Sequence, residues 1–219
     1  MLNTRLILVE GFPGAGKSTT TKHIGETLQQ SGAACRWFLE QDDPHPIPCL
    51  DFEIKGLTGK MIPLWTRFVE QAIHAPTVTI IESRLWQNTA FFMYMSECSL
   101  EEIIEFNRQV CRTLALLSPV LVYLDQQDVE AALGRLHSLR GEKWMQSALE
   151  MTTQYPWFRS RGRKDFAAWV DFFKEWQPVV KRLFADWPYS RLKIRNPHEN
   201  WENAYHQLHA FLQIEQNRL

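Results

Sequence analysis

The chain has 219 residues, of which 45% are apolar and 22% charged, an ordinary globular composition rather than a disordered one. Its 24 Lys and Arg against 25 Asp and Glu leave a net charge of −1, which argues against binding a nucleic acid polymer through bulk charge. No apolar run reaches membrane-spanning length, and the first residues lack the apolar core and cleavage site of a secretory leader, so a cytoplasmic protein without membrane contact is expected.

The elements follow in order. Arg5–Glu10 is a short apolar strand ending at a glycine-rich turn. A helix follows from Lys17 to about Gln30, stopped by Ser31 and Gly32. Ala34–Leu39 is a second strand, and the stretch Glu40–Pro48 is too proline-rich for helix or central strand. Lys60–His74 carries Leu64, Phe68 and Ala72 at helical spacing, and Thr77–Glu82 is a β-branched third strand. Ser99 and Glu102 form a capping box before a helix striped by Ile103, Val110 and Leu114. Pro119–Asp125 is a fourth strand, and Asp128 caps a helix to about Arg140. Lys164–Asp186 is a helix interrupted at Pro178, Arg191–Arg195 a fifth strand, and Glu199–Glu215 a closing helix. Strands alternating with helices predict an α/β fold: a mostly parallel five-stranded sheet with helices on both faces, in one domain over 1–219. Cys35, Cys49, Cys98 and Cys111 have neither CxxC nor metal-ligand spacing and read as reduced, packed thiols.

Gly11-Phe-Pro-Gly-Ala-Gly-Lys-Ser18 matches GxxxxGK[ST] in full, between a predicted strand and a predicted helix. Gly11, Pro13, Gly14, Ala15 and Gly16 let successive backbone N–H groups face an anion at a helix N-terminus. Lys17 reaches the β- and γ-phosphates, Ser18 supplies a hydroxyl to Mg²⁺, and Thr19 completes the turn. The pattern predicts a P-loop NTPase fold binding ATP or another nucleoside triphosphate. No NKxD or DxxG of a GTPase follows.

The chain resembles the thymidylate kinase and deoxynucleoside kinase group of P-loop kinases at three further places. Glu40, after the second strand, matches the carboxylate that acts as base on the sugar hydroxyl in deoxynucleoside kinases; Asp42 and Asp43 compete for that part. Glu82-Ser83-Arg84, after the third strand, is similar to the DR of thymidylate kinases and the ERS of deoxynucleoside kinases. There the acid holds Mg²⁺ through water and the arginine fixes the acceptor or the reacting oxygen. Arg84 follows Glu82 by two positions, where both groups have one. The run from Tyr123 to Lys143 is similar to YLDxxPExALxRxxxRG, which leads from the fourth strand into the lid. Arg135 and Arg140 are its matching lid arginines, and the lid would span about 128–165, ahead of the terminal strand and helix at 190–215. Asp125 either supports the Mg²⁺ shell or caps its strand.

On the acceptor side, Trp65, Trp86 and Phe91 are candidates to stack on a base, or core residues. Asn107 interrupts an apolar stripe, so it meets either a substrate or a core partner. Arg159, Arg161, Arg163 and Lys164 form the strongest basic cluster, readable as a phosphate clamp or as an exposed turn. The resemblance implies a Mg²⁺/ATP-dependent phosphotransferase acting on a nucleoside, a nucleoside monophosphate or a similar small hydroxyl compound. The alternatives are a kinase for an antibiotic or metabolite hydroxyl, and an ATP-binding regulatory NTPase. Kinases of this group often pair through helices beside the sheet, which leaves a homodimer open.

Overall fold

The computed structural model describes residues 3–48 and 57–214. Cys49 and the predicted helix end at Glu215 lie outside the described residues. Five strands form one sheet in the order β2-β3-β1-β4-β5, and every neighbouring pair is parallel. They are β1 (Leu6–Gly11), β2 (Cys35–Phe38), β3 (Val78–Glu82), β4 (Val120–Asp125) and β5 (Arg191–Arg195). The central strands β1 and β4 are buried along their whole length, as apolar runs covered on both faces should be.

Side-chain alternation divides the core in two. Leu6 and Leu8 of β1, with Leu121 and Tyr123 of β4, face a large aromatic layer. It holds α2 (Leu57–Ala72), α3 (Phe91–Met95), α4 (Leu100–Leu114) and α8 (Phe166–Ala185). Ile7 and Val9, with Val122 and Leu124, face a smaller aliphatic layer under α1 (Lys17–Gln30) and α9 (Trp201–Leu212). The capping box forms as predicted: Ser99 Oγ accepts from the Glu102 amide, and the Glu102 carboxylate accepts from the Ser99 amide.

Three local features depart from the expectation. Pro178 does not interrupt α8, which runs through it. A proline removes one donor from the ladder; buried Trp176, Val179 and Val180 on either side hold the helix against the aromatic layer. A single turn of π-helix occupies Leu85–Ala90 directly after the Glu82-Ser83-Arg84 sequence. Beyond α5 (Val129–Arg140), two more helices fill the expected lid: α6 (Glu142–Thr152) and α7 (Pro156–Arg161). The basic cluster therefore lies partly on a helix anchored by buried Trp157 and Phe158.

Candidate active site at the carboxyl edge of the sheet

In a parallel α/β sheet the strand C-termini form the ligand edge. Here β1 ends in the glycine loop and α1 starts at Lys17, capped by Gly16 at φ 90°. Gly14 is also left-handed, at φ 77°. These two positions need glycine for the backbone alone. Gly16 needs it twice, because the Trp201 ring of α9 occupies the place a Cβ would take. Ala15 N–H donates to the Phe12 carbonyl at 3.0 Å, closing the loop on itself.

Lys17 is buried, and its ammonium donates to the Phe12 carbonyl across the loop at 3.1 Å. Burial lowers its pKa; the nearby carboxylates of Glu40, Glu82 and Glu10 oppose that. Three acids around one buried ammonium make a compact charged site.

The sheet register places Glu82 beside Val9, just before β1 enters the loop. Its carboxylate meets the start of α1: Ser18 Oγ donates to Glu82 Oε1 at 2.8 Å. The other oxygen, Oε2, accepts from the Glu40 amide at 3.3 Å. One carboxylate thus joins the expected metal-binding hydroxyl to the expected base.

Glu40 is partly buried and its pKa is raised, first by burial and further by Glu82, with Lys17 and Arg84 pulling it back. Asp42 is otherwise engaged, accepting from the Leu39 amide at 2.7 Å. Arg84 is 4% exposed, and its Nη2 donates to the Glu40 carbonyl at 2.5 Å. The extra residue between acid and arginine is accommodated by Ser83, which takes φ 57°. That left-handed step turns the chain at the strand end and brings Arg84 back over Glu40.

The structure brings together Lys17, Ser18, Glu40, Glu82 and Arg84. It holds Arg135 and Arg140 on a separate element, α5, where both are exposed. Arg135 Nη2 donates to Gln126 Oε1 at 3.0 Å and lies 3.5 Å from His198 Nδ1, so it bridges to the turn after β5. Arg140 closes α5 next to Gly141 at φ 80°. Asp125 is buried at the end of β4 with its Oδ1 unpartnered, and Thr19 is exposed. Gly11 sits against the Leu124 carbonyl, 2.8 Å from where a Cβ would be.

Sequence reasoning missed Glu10 and read His45 as a turn residue. Glu10, 1% exposed, continues the parity of Leu6 and Leu8 and points toward the aromatic layer. Its Oε1 accepts from the Leu85 amide at 2.8 Å and its Oε2 from the Gln87 amide at 3.3 Å. It thereby caps the π-turn. Burial raises its pKa to about 7 despite those bonds and Lys17. With Phe12, Trp86, Gln87, Tyr123 and Trp176 it lines a narrow pocket beside the phosphate loop. The only sequence signal was an acid ending an apolar run. His45, on the proline-rich segment, accepts from the Ile47 amide at Nδ1 (2.9 Å) and puts Nε2 3.4 Å from Arg84 Nε. Burial and Arg84 push its pKa down to about 4.

The aromatic candidates lie in the core. Trp65 is fully buried, Trp86 packs edge-on against Tyr123, and Phe91 packs on Phe172 and Phe173. Asn107 Oδ1 accepts from Trp86 Nε1 at 2.9 Å, so its partner is a core indole.

This architecture matches known structures. Deoxyadenosine kinase from M. mycoides, solved with bound dATP, superposes with a TM-score of 0.53 over 92% of this chain and 98% of that one, at 13% identity. The YorR protein from Bacillus subtilis, solved in complex with phosphorylated GDP, gives a TM-score of 0.52 over 95% of each chain at 10% identity. The fold is the α/β P-loop fold of that deoxyadenosine kinase structure. No protein-family model and no curated protein sequence matches the chain. Among the described residues no helix is long and apolar enough to cross a membrane.

Proposed function

We propose that this protein is a Mg²⁺/ATP-dependent phosphotransferase whose acceptor is a nucleoside, a nucleoside monophosphate or a similar small hydroxyl compound. The observation that carries this reading is the Glu82 carboxylate, bonded at once to Ser18 Oγ and to the Glu40 amide. It couples the phosphate side of the site to the acceptor side through one group.

The donor set suits a hard cation. A Mg²⁺ ion is commonly held by one or two carboxylates or hydroxyls, phosphate oxygens and water. Ser18 and Glu82 offer a hydroxyl and a carboxylate side by side. Bound with the nucleotide, Mg²⁺ supplies charge neutralisation on the phosphates.

The chain's own residues do the rest. The Gly11–Ser18 backbone cradles the phosphates, and Lys17 exchanges the Phe12 carbonyl for phosphate oxygens. Glu40 accepts the proton of the attacking hydroxyl, and its raised pKa makes the carboxylate a stronger base. Arg84 acts on Glu40 by holding its backbone, and its remaining N–H groups face the acceptor. Residues 128–165 act as the lid, bringing Arg140 to the transferring phosphoryl group, while Arg135 flanks the nucleotide beside His198. Positioning and charge stabilisation carry most of the catalysis in this chemistry.

The test is ADP release from Mg·ATP across a panel of nucleosides, nucleoside monophosphates and hydroxylated metabolites. An acceptor-dependent rise, absent in Lys17→Ala, is expected. ATP binding by calorimetry together with a flat panel would overturn the acceptor classes proposed.

A further inference from the structure

The narrow pocket beside the phosphate loop carries two deficits that the steps above leave unmet. It lies between Gly11, Phe12 and Pro13 of the loop and Trp86 and Gln87 of the π-turn after Arg84. Its walls are the rings of Phe12, Trp86, Tyr123, Phe173 and Trp176. The space inside suits a group about the size of one water molecule.

The first deficit is charge. Glu10 is buried in the wall, and both its oxygens accept from neutral backbone amides. Burial outweighs those bonds, which is why its pKa is raised, and Lys17 acts on it more weakly. Lys17 is also the group that turns to the phosphates when a nucleotide binds. The second deficit is a hydrogen bond. Gln87 Oε1 is buried with no hydrogen-bond partner among the described residues. Trp86 Nε1 is committed to Asn107, and the Tyr123 hydroxyl is engaged by Asp125. A water molecule would meet the second deficit but not the first. A metal cation would meet the first, but it needs several oxygen ligands, and these walls are aromatic carbon. An ammonium group meets both. It is water-sized, carries the missing charge, donates three hydrogen bonds and is attracted to aromatic faces.

We propose that this pocket recognises a primary ammonium group carried by the phosphoryl acceptor, which makes the acceptor an amino alcohol or an amino sugar. This rests on the transferase reading above and narrows its acceptor to one chemical class. The ammonium donates to the Glu10 carboxylate and to Gln87 Oε1, and the rings shield it from water. An acceptor anchored there lies against the loop that cradles the donor phosphates. Its charge takes over from Lys17 in balancing Glu10.

The probe is methylammonium chloride, with KCl and methanol as the charged and the neutral control. Each is added at constant ionic strength and about pH 8, where Glu10 is ionised. Trp86 and Trp176 wall the pocket, so tryptophan fluorescence should change saturably with methylammonium and with neither control. Glu10→Gln and Gln87→Leu should each weaken binding at least about tenfold, the scale for one charge-assisted hydrogen bond. Gln87→Glu should tighten it. Circular dichroism checks that each variant folds, and the Gln87 variants decide the matter if Glu10→Gln does not. In the ADP-release assay, ethanolamine and glucosamine are compared with their N-acetyl counterparts, and the free amines should be better acceptors by at least about tenfold in kcat/KM. Four results would each overturn the proposal: no saturable response to methylammonium, an equal response to K⁺ or methanol, binding unaltered in the Gln87 variants, or a best acceptor without an amine. Methylammonium binding with no transfer to any compound would leave the ammonium site standing and remove the transferase reading.

Discussion

Two regions of this protein combine arginine, lysine and carboxylate side chains, and they do it in opposite ways. At the sheet edge, Lys17, Arg84, Glu10, Glu40 and Glu82 are wholly or partly buried, yet their bonds run mainly to backbone groups and to Ser18. Lys17 holds a carbonyl, Arg84 holds a carbonyl, Glu10 accepts two amides, and Glu82 accepts a hydroxyl and an amide. Around α7, the charges are exposed and satisfy one another. Arg161 pairs with Glu97 at 3.1 Å and Glu175 at 4.0 Å and lies over the Trp157 ring, and Arg163 pairs with Asp171 and Asp165. Buried charge that is positioned but not mutually neutralised costs stability, and such groups concentrate where a ligand completes the balance. Exposed, mutually paired charge costs little and signals little.

The largest expected effect tests the first region. Lys17→Ala should lower acceptor-dependent ADP release by about 10³-fold or more, the scale for removing a principal transition-state charge partner. Its fold should persist, since Nζ is bonded to one loop carbonyl in the absence of nucleotide. Retained turnover would mean that the buried ammonium is structural, and the contrast between the regions would collapse.

Glu40→Gln comes next, with kcat expected to fall about 10²-fold and ATP affinity to change little. The proton-accepting form of Glu40 is the carboxylate. Its pKa is raised, so parent activity should decline as pH falls through a value above the ordinary carboxylate range. The Gln variant should lack that limb in a pH–rate profile. A limb that survives the substitution would move the base to Asp42 or Asp43.

The sequence made the first region half legible. The phosphate loop is contiguous, so its spacing and its place between strand and helix were enough. Glu82 was readable because strand ends define the ligand edge. Arg84 was in doubt for a physical reason: only the left-handed turn at Ser83 shows how an inserted residue still lets the guanidinium reach Glu40. Glu10 was hidden because its partners, Leu85 and Gln87, lie 75 and 77 residues away. The π-turn that supplies them is six residues long and has no periodicity to detect. In the second region, α6 and α7 are short and flank a cluster whose basic residues catch the eye. The pairing of those residues with acids on α8 and near α3 is a tertiary fact.

Glu10 sharpens the comparison through stability. Its pKa rises from 4.5 in the unfolded chain to about 7 in the fold. Between those values the folded state holds a proton that the unfolded state has lost, so stability is greatest below the lower value and falls as pH rises through the upper one. The loss between pH 5 and pH 8 should be about 2.5 kcal/mol. In Glu10→Gln this decline should vanish, although the amide cannot accept from both Leu85 and Gln87 and the variant should be less stable at pH 5. Urea unfolding of both proteins at the two pH values measures this. Parallel pH profiles would show that the Glu10 carboxylate is as well accommodated as it is in water.

The smallest effect belongs to the second region. Arg161→Ala removes two exposed ion pairs and a cation–π contact 4.2 Å from the Trp157 ring. Exposed pairs contribute about 0–1 kcal/mol, and an exposed cation–π contact about 0.5–1 kcal/mol. The variant should therefore lose at most about 3 kcal/mol in denaturant unfolding, less at high salt. Its KM for a phosphate-bearing acceptor should stay within about twofold, because a guanidinium already shared between two carboxylates and an indole is poorly placed to bind a third anion. If KM instead rose tenfold at constant kcat, α7 would be a phosphate clamp that opens its own ion pairs on binding. The sheet edge and the α7 surface would then be two halves of one site.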